Sequence, residues 1–129
     1  TFAALTGDDQ LRQVVEGLLA STTRLATTSP RFAGWWLAVA EAWLDGPREV
    51  ALVGGDATAR RRLARVVLGS SAPALVLASG DGSGDPPVAL LADRPGGNVA
   101  TAYVCRRFRC LAPTTDAEHL ARQLEAQTP

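Results

Sequence analysis

Glu49-Val50-Ala51-Leu52-Val53-Gly54-Gly55-Asp56 (EVALVGGD) is the stretch on which the fold turns. Five residues without a break for solvent, closed by two glycines and an acid, read as a strand buried on both faces that turns straight into a helix. The next segment, from about Thr58 to Leu68, supports this. It sets Leu63, Val66 and Val67 on one side and Arg60, Arg61, Arg62 and Arg65 on the other, which is helical spacing. Ala74–Ala78 is the second apolar run, so Glu49–Ala78 is a β-α-β unit whose strands should lie parallel. Downstream, Ser79–Pro87 (SGDGSGDPP) carries no hydrophobic residue and reads as a surface loop. Val88–Ala92 is expected as a third strand, ended by Arg94-Pro95-Gly96-Gly97, and Ala100–Arg106 as a fourth. Their short connections suggest antiparallel additions to the sheet. Thr115 and Glu118 have the spacing of a capping box before a last helix, with Leu120 and Leu124 facing inward.

Upstream the period is helical throughout. Leu11, Val14, Val15, Leu18, Leu19, Thr22 and Leu25 form one face, with Thr6 and Asp9 as a candidate cap. A second stripe of Phe32, Trp35, Trp36, Val39, Ala40, Trp43 and Leu44 opens with Ser29-Pro30 and closes at Gly46-Pro47. The two make an αα-hairpin. The expected class is therefore α/β, an N-terminal αα-hairpin followed by a small mixed sheet in the order β-α-β-β-β-α, divided at residues 1–46 and 47–129.

Composition narrows the function classes. Thirteen basic and thirteen acidic residues cancel over 129 residues, so no net field favours nucleic acid. No apolar run reaches the roughly 18 residues that span a bilayer, and the start has no secretory leader pattern. Neither nucleic acid nor membrane is expected as a partner, and the cytoplasm is the expected compartment. Every basic residue is Arg and the chain holds no Met. The first is the bias of a GC-rich, bacterial genome, and the second suggests a domain cut from a longer protein.

Few residues qualify for chemistry. Cys105 and Cys110 are open to pairing as a disulfide, to sharing a metal, or to independent roles. One His and no second Cys pair argue against zinc, and no metal or cofactor is expected. Arg106, Arg107 and Arg109 make the surroundings electropositive, which favours thiolate and makes the pair a redox candidate. Arg106–Arg109 contains no Gly, Pro, Asn or Asp, and Phe108 between two arginines resembles a half-buried strand residue. A strand continuing to Cys110 would separate the α-carbons by roughly 16 Å, beyond the ~7 Å limit for bridging, so two separate thiols are expected, with Cys105 facing the core. Gly54 and Gly55 sit where phosphate loops occur, but neither a GxGxxG nor a Walker sequence surrounds them, and no nucleotide affinity is expected. The Arg60–Arg62 run and His119 read as solvated helix surface.

The segment Ala100-Thr101-Ala102-Tyr103-Val104-Cys105, followed by Cys110 and Ala112-Pro113-Thr114-Thr115-Asp116, resembles the closing motif of the thioredoxin-domain-containing proteins related to the spermatogenesis-associated thioredoxin-like proteins. The helix ending at Gly46-Pro47 and the strand Glu49–Val53 with Gly54 and Asp56 are similar to the part before it, so the resemblance spans most of residues 30–120. It implies a longer parent with an N-terminal thioredoxin-like domain and an α/α toroid, whose last hairpin would be residues 1–46. The remainder of that chain is then the expected partner. On this reading the chain is a non-catalytic C-terminal domain completing the toroid. The alternative is a redox-responsive module in which Cys105 and Cys110 exchange with the thioredoxin domain. Without its neighbour, the chain is expected to self-associate through Phe32, Trp35, Trp36 and Trp43.

Overall fold

The computed structural model describes residues 2–107 and 109–125. Three helices come first: α1 (Phe2–Thr6), α2 (Asp9–Thr28) and, after a 3-10 turn at Pro30–Phe32, α3 (Gly34–Asp45). Then follow β1 (Arg48–Val53), α4 (Ala57–Gly69), β2 (Leu75–Gly80), a 3-10 turn at Ala89–Leu91, β3 (Thr101–Arg106), β4 (Arg109–Cys110) and α5 (Ala117–Glu125). The architecture is the expected α/β arrangement, beginning with a helical hairpin.

The sheet has the order β2-β1-β3-β4. β1 pairs with β2 in parallel, Val50 opposite Leu77, because the chain crosses over through α4 between them. β3 runs antiparallel on the other side of β1, Val50 opposite Val104. This central position explains the unbroken apolar run that marked β1. Val50 and Leu52 point into one core with Leu63 and Val67 of α4, Ala102 and Val104 of β3, and Leu120 and Leu124 of α5. Ala51 and Val53 point the other way, to Val76, Ala78, Leu90 and Leu91, with Ala4 and Leu5 of α1 packed on top. Each fully buried leucine contributes about 2 kcal/mol of transfer free energy, so this double-sided burial is the main stabilising term for the sheet.

Several boundaries differ from the sequence reading. Val88–Ala92 is a 3-10 turn and not a strand. The adjacent Leu90 and Leu91 are both buried in the same core, and a strand sends neighbouring side chains to opposite faces. Asp8, not Thr6, caps α2, accepting from the Gln10 and Leu11 N–H groups at 2.8 and 3.3 Å. Asp116, not Thr115, caps α5 and accepts from the His119 N–H at 2.7 Å. Ser29 makes no side-chain cap, and α3 starts four residues later than Pro30 implied.

Candidate functional site

The end of β3 departs most from expectation. Cys105 and Cys110 are joined as a disulfide, which overturns the reading of two separate thiols. The chain reverses between them: Cys105 stands opposite Cys110 and Arg106 opposite Arg109. A two-residue hairpin needs positive φ, usually from Gly or Asn; here Arg107 supplies it, with φ +49°. The α-carbons come to 3.9 Å. The expectation for Phe108 lies outside the described residues.

What holds Arg107 in this conformation lies far away in the sequence. Its guanidinium donates to the Leu44 carbonyl at the end of α3. Its side chain also lies over Gly46, where an added Cβ would come within 2.9 Å of Arg107 Cγ. Next to it, Arg106 donates through Nε to the Asp45 carbonyl at 2.8 Å and pairs with the Asp45 carboxylate. Cationic groups on the last carbonyls of a helix meet the negative end of its dipole. The hairpin is thereby tied to the C-terminus of α3. Arg48 Nη1 reaches the same carboxylate at 3.8 Å.

Around the sulfurs the surroundings are polar and unequal. Cys105 is 3% exposed, as expected for a core-facing residue, whereas Cys110 is exposed. Arg94 Nη2 donates to Cys105 Sγ at 3.3 Å. The same guanidinium donates to the Leu90 carbonyl and lies 5.6 Å from the centre of the Tyr103 ring. Glu49 stands directly across from Cys105 on β1. Burial pushes the Glu49 carboxyl above its usual range, and attraction to Arg12 and Arg94 partly offsets this. Neither Arg94 nor Glu49 was singled out from sequence, because only the β1–β3 register and the path of the 81–99 connection bring them to the sulfur. The arginines after Cys105 were a usable signal for positive charge, but the side chains of Arg106 and Arg107 serve the α3 tie.

The other candidate, Gly54-Gly55, is occupied by the fold itself. The two take φ +78° and +58°, and a Cβ on Gly54 would lie 2.7 Å from the Gly97 backbone N and O. Their N–H groups donate to Gly80 O at 3.3 Å and Gly97 O at 2.7 Å, so neither points free at a phosphate. The α4 N-terminus is likewise satisfied by Asp56, which accepts from Thr58 and Ala59 N–H, both at 2.7 Å. These bonds hold the Asp56 carboxyl below its usual range. Arg60 is also used: Nη1 donates to the Gly54 and Gly55 carbonyls at 2.9 and 2.6 Å.

Two hollows remain. A cleft of about 410 Å³ opens at the C-terminal ends of β1 and β2, lined by Val53, Gly80, Asp81, Leu91 and Arg94. Its acid, Asp81, is engaged by the Ser83 N–H and hydroxyl at 2.9 and 2.7 Å. A more apolar groove of about 520 Å³ lies between the helical layer and the sheet, lined by Phe2, Leu11, Val15, Trp43, Glu49 and Arg107. Among the described residues no group of three or more His, Cys, Asp or Glu could hold a metal ion, and no helix is long and apolar enough to cross a membrane. His119 is exposed on α5.

The site thus defined is a disulfide-closed β-hairpin on a four-stranded mixed sheet. No family model, curated protein or solved structure matches the chain.

Proposed function

We propose that this chain is a non-catalytic docking domain, in which an α/β module carries a helical hairpin that packs against the remainder of a thioredoxin-domain-containing parent and completes its helical toroid. One observation carries the reading. Among the described residues none in α1, α2 or α3 is buried, while Trp35 is 80%, Leu44 73% and Phe32 66% exposed. Apolar surface concentrated on one layer marks an interaction face more often than scattered exposure does. The resemblance of residues 30–120 is what supports choosing such a parent as the covering partner. The test is binding in trans. The helical toroid of such a parent should form a one-to-one complex with the chain, and Trp35→Ser with Leu44→Ser should abolish it while the circular dichroism spectrum is unchanged. Wild-type chain that is folded and fails to bind overturns the reading. In isolation the same face should pair with a second copy, and the double variant should sediment as a monomer.

The disulfide favours a second reading, a redox-responsive module. Cys110 is exposed, and the bridge closes the hairpin that ties α3 to the sheet through Arg106 and Arg107. Thiol counting after incubation with a reduced thioredoxin-type dithiol tests it. Two new thiols on folded protein are expected, and none would refute it.

A further inference from the structure

The two sulfurs of the hairpin differ in access and in charge, and the difference assigns them separate roles. This rests on the redox-responsive reading above. Exchange at a disulfide requires a thiolate to approach one sulfur along the S–S axis while the other departs with the electron pair. Cys105 is 3% exposed, and its Sγ is contacted by the Arg94 guanidinium at 3.3 Å. Cys110 lies on the exposed edge strand. Arg94 is held in place, since its other terminal nitrogen donates to Leu90 O and its plane lies near the Tyr103 ring. A fixed cation touching a sulfur favours the charge that develops there as a bond breaks. The opposing charge nearby is Glu49, across the strand pair; Arg12 of α2 as well as Arg94 acts on it.

We infer that the hairpin is a thiol–disulfide exchange site for an external dithiol, in which Cys110 Sγ is the sulfur attacked and Cys105 leaves as a thiolate held by Arg94. In the first step the external thiolate sulfur bonds to Cys110 Sγ, the Cys105–Cys110 bond breaks, and the electron pair stays on Cys105 Sγ beside the guanidinium. In the second, the other thiol of the dithiol loses its proton to solvent and attacks its own partner sulfur. That closes the external disulfide and releases Cys110 as a thiolate, which takes a proton from water. Two electrons pass from the dithiol, which is oxidised, to the hairpin, which is reduced. Run backwards, the same steps reoxidise the hairpin at the expense of an external disulfide.

The experiment uses the whole chain and two probes. The first is reduced glutathione, followed by acid quench, blocking of free thiols and tryptic digestion; Arg106, Arg107 and Arg109 lie between the cysteines and put them in different peptides. The adduct is expected on Cys110, and an adduct mainly on Cys105 overturns the assignment. The second is the rate of reduction by dithiothreitol. Arg94→Gln should slow it several-fold, since a weaker acid departs more slowly, and Arg94→Lys should recover most of the loss. A folded Arg94→Gln variant reduced at the wild-type rate overturns the role of Arg94. Should that variant not fold, adduct mapping on the wild type still decides which sulfur is attacked. If the folded wild type takes up no glutathione and resists dithiothreitol altogether, the redox-responsive reading itself fails. That outcome is distinct from a disulfide that exchanges at the wrong sulfur.

Discussion

Reducing the Cys105–Cys110 bond perturbs the fold by an amount that follows from the loop it closes. The cysteines are five positions apart, so in the unfolded chain the bridge constrains only a small ring. The chain-entropy relation gives about 2 kcal/mol for such a ring, against about 4.7 kcal/mol for a hundred-residue loop. The native state should change little. β3 is still paired to β1 from Thr101 to Cys105, and the Arg106 bond to Asp45 O needs no bridge. Urea unfolding of oxidised and reduced protein should therefore differ by about 2 kcal/mol with the same slope against denaturant, equal slopes meaning equal surface exposed on unfolding. In a thermal scan this corresponds to roughly 6–10 °C for a domain of this size. A loss above ~4 kcal/mol, or a changed slope, would mean that the bridge holds the α3 tie together and not merely a short ring. A loss indistinguishable from zero would mean that the hairpin keeps its ends together without the bond. Either result refutes the reasoning.

Glu49→Gln should stabilise the protein near neutral pH. Burial raises the Glu49 carboxyl in the fold above its ordinary 4.5, so the folded state binds the proton more tightly than the unfolded state does. Wild-type stability then falls as pH rises from the ordinary value through the folded one and stays lower beyond it. The gain from Gln should vanish below about pH 4, the lower edge of the ordinary carboxylate range; urea midpoints at both pH values check this, and a pH-independent difference contradicts it. Gly55→Ala should cost about 2–4 kcal/mol, combining a positive φ with a clash: φ is +58°, and the new Cβ would lie 2.9 Å from Ala100 Cα. A melting temperature within a degree or two of wild type would show that the 97–100 segment moves aside. Leu52→Ala, at a side chain with no exposure in the centre of β1, should cost about 2–5 kcal/mol by calorimetry.

The local part of the structure was legible in the sequence. An apolar run ended by Gly54-Gly55-Asp56 reads as a buried strand feeding a helix, and α4 and β2 follow from periodicity and from the length a parallel crossover needs; that β1 is central came only with the sheet order. The helical hairpin was legible for the same reason, since the α2 and α3 stripes and the Gly46-Pro47 stop are each local signals, set by residues three or four positions apart or adjacent. The 3-10 turn at Ala89–Leu91 was not, because its short apolar run resembles a strand until Leu90 and Leu91 are seen entering one core together. Nor was the disulfide hairpin. Its turn lacks every residue that turns prefer, and the left-handed conformation of Arg107 costs an ordinary side chain about 1–2 kcal/mol. Tertiary structure offsets that cost. Leu44 O accepts from the Arg107 guanidinium and Gly46 leaves room for its stem, while Arg106 binds Asp45 beside it. Those partners lie more than sixty positions upstream. Arg94 reaches Cys105 in the same way, from a connection with no periodicity of its own. Contacts within one helix or strand are encoded by spacing, and those the sequence by itself determined; contacts between the end of α3, the 81–99 connection and the β3 hairpin exist only once the sheet order is set, so only the tertiary structure decided the site.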